Sequence, residues 1–176
     1  MISLTCTEDR YPRIFKSKRR TGVNDFVVAA GESRSPKTAV LGGQILVKVS
    51  GRDTGGSYAV FEIPTAPLSG PPLHFHEIAN EWFYGLEGEH DFQIGDERFR
   101  MGPGASVLAP KRIPHTWLNV SSSAGKLLTI APPAGQLEQF FVDFASLVVA
   151  GPPDRIKMSQ LFEKYAMKVV GPPLSA

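Results

Sequence analysis

The chain has 176 residues, 42% of them hydrophobic and 20% charged, with 19 Lys and Arg against 17 Asp and Glu and a formal net charge of +2. That apolar content suffices for one compact domain, and so weak a net charge gives no electrostatic case for a nucleic-acid or membrane partner. Cys6 is the only cysteine, which excludes an intrachain disulfide and a structural zinc site built on thiolates.

Taken from the beginning, Asp9, Arg10, Arg13 and Lys16 interrupt the first twenty residues before any signal-like apolar run, and no later stretch approaches a membrane span. The expected setting is cytoplasmic. Residues 1–37 read as an arm: the basic run Lys16, Lys18, Arg19 and Arg20 is a solvated segment, and Val23 to Ala30 is a short strand at most. From Thr38 to about Ala131 period two dominates. Ile45, Val47 and Val49 alternate with Gln44, Leu46 and Lys48, and Tyr58 to Ile63 repeats the pattern after the Gly55-Gly56 turn. Between Asn80 and Ala131, Gly88, Gly95, Gly102, Gly104, Pro110, Pro114 and Gly125 separate short β-rich runs, which predicts an all-β sandwich or barrel. Phe92 to Phe99 reads as a tight hairpin, with Gly95-Asp96 supplying the positive φ that two-residue loops require.

After Pro132-Pro133 the period changes. Leu137, Phe140, Phe141, Phe144, Leu147 and Val148 fall at helical spacing up to Gly151-Pro152-Pro153. A second helix is expected from Asp154, as N-cap, to Tyr165. The helix phenylalanines read as core or subunit-interface packing rather than as a ligand pocket. The expected organisation is an arm (1–37), a β-barrel (38–132), and C-terminal helices with a tail packed on it (133–176).

The chemistry concentrates in the histidines, of which the chain has four: His74, His76, His90 and His115. Side chains at i and i+2 on a strand share a face, so His74 and His76 can offer two imidazoles to one ion while Phe75 points away. Neutral imidazole is the commonest protein ligand for borderline metals. Glu77 and Glu81 are rival carboxylates. Strand alternation turns Glu77 from the shared face, whereas Glu81 stands in a wider pattern.

That pattern is G-x3-H-x-H-x4-E-x6-G over Gly70, His74, His76, Glu81 and Gly88, followed by G-x5-P-x4-H-x3-N over Gly104, Pro110, His115 and Asn119. Together the two segments resemble the paired motifs of the cupin superfamily, over about residues 70 to 120. Arg112 stands where the second motif usually carries glycine, and Gly70 lies closer to His74 than is usual. The resemblance implies a double-stranded β-helix, the jelly-roll barrel, with an N-terminal arm and C-terminal helices. It implies a metal held by His74, His76, Glu81 and His115 with two positions left open. Three neutral nitrogens and one carboxylate suit iron, manganese, nickel, cobalt, copper or zinc without choosing among them.

Parity along the strands makes Phe83, His90, Phe92, Trp117 and Asn119 candidates for the walls of a substrate pocket, apolar in character and suited to a small aromatic ligand. Resemblance to quercetin dioxygenase-like bacterial cupins implies a metal-dependent dioxygenase with Glu81 as ligand and catalytic base. Isomerase, decarboxylase or lyase chemistry, and non-catalytic binding of a small molecule, are the alternatives. A homodimer is expected from the arm and the phenylalanine-rich helix.

Overall fold

The computed structural model describes residues 27–40, 43–149, 151 and 154–175. Cys6, the basic run at 16–20 and most of the strand expected at 23–30 lie outside the described residues. Residues 27–30 themselves are not strand.

Eleven strands and two helices are present among the described residues: β1 Thr38–Val40, β2 Gly43–Val49, β3 Ala59–Thr65, β4 Pro72–His76, β5 Glu81–Glu87, β6 His90–Ile94, β7 Glu97–Met101, β8 Ser106–Ala109, β9 His115–Asn119, β10 Gly125–Ala131, α1 Leu137–Val148, α2 Arg155–Lys164 and β11 Met167–Pro173. They form two antiparallel sheets, one ordered β1-β2-β3-β10-β5-β8 and the other β11-β4-β9-β6-β7. Sequence neighbours are repeatedly separated in space, as in a jelly roll. Alternation produces the core: Ala59, Phe61 and Ile63 of β3 and Leu127 and Ala131 of β10 turn inward, meeting Phe83, Phe92 and Trp117. The β6–β7 hairpin turns on Gly95-Asp96 with Gly95 at φ +58°, and Ile94 pairs with Glu97.

The C-terminal segment departs from expectation in one respect. Residues 167–173, read as tail, form β11 and pair with β4, the strand that carries His74 and His76. Gly171, Pro172 and Pro173 hide this strand from pattern reading, and the ladder tolerates them because β11 lies at the edge of its sheet, with register shifts around Gly171. The helices form as expected. Asp154 caps α2 by accepting from the Lys157 backbone N–H at 2.8 Å. The phenylalanine face of α1 is directed at the barrel: Phe140 and Phe144 are buried in the core cluster and Phe141 packs against it. This removes the helix face as a ready subunit interface. No helix among the described residues is long and apolar enough to cross a membrane.

Helix α2 ends at Lys164 with Tyr165 as its C-cap, and Ala166 then takes φ +55° to turn the chain into β11. Glycine normally fills this left-handed position, because a Cβ there costs about 1–2 kcal/mol against about 0.5–1 kcal/mol for glycine's extra backbone freedom. Ala166→Gly is therefore expected to raise stability by about 0.5–1 kcal/mol in urea unfolding. Unchanged or lower stability would show that the turn carries no strain.

Candidate metal centre

Two sheets meet at the site. His74 on β4 stands directly opposite His115 on β9, His76 lies two residues further along the same face, and Glu81 opens β5 in the other sheet. Gly70 makes the approach possible, since a Cβ at this position would sit 1.8 Å from the Trp117 carbonyl oxygen. All four side chains are buried, and each offers a ligand atom within 4.8 Å of the others. Two donors on one ion, each bonded at about 2.1 Å, lie at most about 4.2 Å apart, so sub-ångström movement would let all four share it.

The hydrogen bonds direct the donor atoms. His74 Nδ1 donates to the Pro72 carbonyl at 2.8 Å and His115 Nδ1 donates to the Ile113 carbonyl at 3.0 Å. In the neutral rings this leaves each Nε2 as a bare lone pair, the arrangement that outer hydrogen bonds impose on metal-binding histidines. Glu81 Oε2 lies 3.2 Å from His115 Nε2 and 3.3 Å from His76 Nε2. The latter nitrogen is buried and has no hydrogen-bond partner. Burial alone would raise the Glu81 carboxyl, but its contacts to His115 and His76 outweigh burial and hold it well below the usual carboxylate range. Burial, followed by the neighbouring His115 and His76, pushes His74 well below the usual imidazole range. A carboxylate and three imidazole nitrogens therefore converge away from water, and a shared cation would satisfy all of them. The residues present fit a divalent transition metal.

The rival Glu77 points elsewhere. It pairs with Lys168 Nζ at 3.1 Å and Arg112 Nε at 3.5 Å on the surface. Arg112 adopts φ +64°, a left-handed conformation at the position where the motif usually has glycine.

A cavity of about 50 Å³ adjoins His74, His76 and Glu81. Of the five side chains expected to wall it, only Trp117 does so. Phe83, Phe92, His90 and Asn119 do point inward, yet they belong to other parts of the core. Phe83 and Phe92 pack edge to face at 5.2 Å, and the Phe83 ring lies 6.3 Å from His115. His90 pairs with Asn119, whereas Ile94 pairs with His115, so His90 sits four residues along the strand from the cluster level, about 13 Å. There its Nε2 meets Thr65 Oγ1 at 2.9 Å. Asn119 closes a turn, donating to the Thr65 and Ser123 carbonyls and accepting from the Ser121 N–H. The missed wall comes from the helices: Leu137, Phe140, Phe141 and Phe144 of α1 and Phe162 of α2, with Ile63 and Met167 from the barrel. The apolar period of α1 was the available signal, but periodicity identifies a buried face and not what it covers.

The Cupin domain family model matches residues 59–131, the span from β3 to β10 that holds all four cluster residues. No curated protein matches. Among solved structures, TT1209 from Thermus thermophilus is 29% identical, with a TM-score of 0.43 over 45% of this chain and 75% of its own. A protein from Acidithiobacillus ferrooxidans, provisionally named a sugar phosphate isomerase, is 20% identical with a TM-score of 0.50, covering 62% of this chain and 76% of its own. The Schizosaccharomyces pombe Cnp3 cupin domain is 16% identical with a TM-score of 0.48, over 55% of this chain and 67% of its own. With its paired motifs folded into two facing antiparallel sheets and the family match lying across them, residues 59–131 form a cupin domain.

Proposed function

We propose that the protein is a mononuclear metal-dependent dioxygenase acting on a small aromatic or enolisable substrate. One observation carries this reading: beyond the ligand cluster, the cavity is walled by proline, aliphatic and aromatic side chains, with no charged residue among them. Such a wall offers nothing to a phosphate or a dicarboxylate and suits an apolar ring or enol. His74, His76, Glu81 and His115 would hold the metal, which when bound would supply Lewis acidity toward a substrate oxygen and the redox capacity to engage dioxygen. Glu81, held ionised, would accept the proton of a substrate hydroxyl at its carboxylate oxygen. The aromatic wall would exclude water from the deprotonated substrate.

The test is oxygen consumption by iron-, manganese- and nickel-loaded protein across a catechol and flavonol panel. Metal-dependent uptake is expected with at least one member. Turnover that proceeds equally without dioxygen would replace this reading with Lewis-acid isomerisation, decarboxylation or lyase chemistry. Absence of turnover under every loading would leave a binding protein.

We extend the proposal to a homodimer. Its support is the pair of open sheet edges β7 and β8, where Phe99 and Leu108 are exposed. Light scattering is expected to give twice the 19.1 kDa chain mass. A monomer at all concentrations would refute it.

A further inference from the structure

We propose that Phe162 determines which ligands the metal centre admits, by occupying the space in which the ring of an aromatic ligand would lie. The proposal rests on the metal-site reading above and adds a residue that the paired motifs do not contain. Phe162 is buried and projects from α2 to within 5.2 Å of His74, edge to face, and 5.0 Å of Phe140, again edge to face. It is thus an aromatic ring held between a ligand histidine and a second aromatic wall, the geometry that aromatic side chains prefer among themselves. The remaining cavity, about 50 Å³, falls well below the roughly 300 Å³ at which pockets for ring-containing molecules begin. A ligand larger than a few atoms must therefore take the place of an existing side chain.

The attachments of the two helices single out Phe162. Helix α1 buries Leu137, Phe140 and Phe144. It is also tied to the barrel by Glu138, which accepts from Ser35 Oγ at 2.8 Å and from Ser50 Oγ and the Gly51 N–H at 2.9 Å. Helix α2 buries Phe162 alone. Lys164 Nζ and Tyr165 Oη, at the end of α2 and just beyond it, both donate to Asp143 of α1 near the surface, at 2.6 and 2.7 Å. Among the helical walls, the ring beside His74 is the one whose withdrawal disturbs least of the remaining core. Phe162 is accordingly a specificity-determining residue: ligands of a few atoms enter beside it, and an aromatic substrate of the kind proposed above binds only as the Phe162 ring gives way, at a cost in affinity.

The experiment compares wild type with Phe162→Ala and the more conservative Phe162→Leu, each loaded with cobalt(II) and titrated with imidazole or 4-phenylimidazole, read by the cobalt absorption bands. Both variants are expected to bind 4-phenylimidazole about tenfold or more tightly than wild type while imidazole changes by no more than about twofold. Equal changes for the two probes, or no change, would overturn the proposal. A second measurement omits metal: toluene should raise the melting temperature of Phe162→Ala and leave wild type unmoved, because only the variant offers an apolar void of ring size. If cobalt binds none of the proteins, the metal-site reading fails, and the toluene result still decides whether the Phe162 ring occupies ligand space.

Discussion

Glu81→Ala is expected to lower bound divalent metal from about one ion per chain to under about a tenth of that after dialysis, as loss of one of four ligands weakens the site by about 100-fold or more. The same substitution should abolish metal-dependent oxygen uptake. A less obvious result concerns stability. In the metal-free wild type the Glu81 carboxylate lies 3.2 Å from one imidazole nitrogen and 3.3 Å from another, the second without a hydrogen-bond partner. The fold holds Glu81 ionised against its burial through His115 and His76, so removing the carboxylate breaks a buried cluster and metal-free Glu81→Ala should melt below metal-free wild type. Added metal should then stabilise the wild type by about 3 kcal/mol at roughly a hundredfold excess over the dissociation constant, and the variant by almost nothing. Glu77→Ala, which loses only the surface pairs to Lys168 and Arg112, provides the control and should keep full metal content. Elemental analysis and thermal melts decide the matter: a Glu81→Ala protein that retains metal and its stabilisation would remove Glu81 from the site.

Acidification should weaken the fold through His90, far along the barrel from the His74, His76, Glu81 and His115 cluster. Its ring is fully buried, with Nε2 against Thr65 Oγ1 and Nδ1 unpartnered. Burial lowers its pKa from 6.5 to about 4. The unfolded chain takes up a proton on this residue near pH 6.5 while the folded chain does so only near pH 4. Its contribution to stability is therefore complete above about pH 6.5 and is lost progressively as pH falls through about 4, amounting to about 3 kcal/mol. His90→Gln keeps an amide donor for Thr65 and has nothing to protonate. Urea unfolding of both metal-free proteins between about pH 7.5 and 4.5 isolates the effect, because the metal-site histidines are common to the two. The stability of wild type relative to the variant should decline steadily with acid. A pH-independent difference would show that His90 is protonated as readily folded as unfolded.

Much of this molecule is readable from residue spacing, for reasons that differ by element. His74 and His76 share a face because strand geometry demands it, and Gly95-Asp96 turns the β6–β7 hairpin because positive φ is needed there. Both are local rules. The pocket walls are not local. Parity places Phe92 and His90 inside the barrel, but their height relative to His115 follows from the β6–β9 register, in which Ile94 takes the level of the ligand. Helical spacing marks Phe140 and Phe144 as a buried face without indicating that the face roofs the cluster. Strand β11 escaped for a third reason: Gly171, Pro172 and Pro173 argue against a strand when read alone, and only an edge position next to β4 makes them acceptable.

That pairing of β11 with β4 bears on how the protein matures in the cell. During synthesis His74, His76, Glu81 and His115 all leave the ribosome before Met167–Pro173 exists, so the strand bearing two of them must wait with one side of its backbone uncovered. A chain stalled short of that strand would present these four residues on a scaffold whose β4 edge is unpaired.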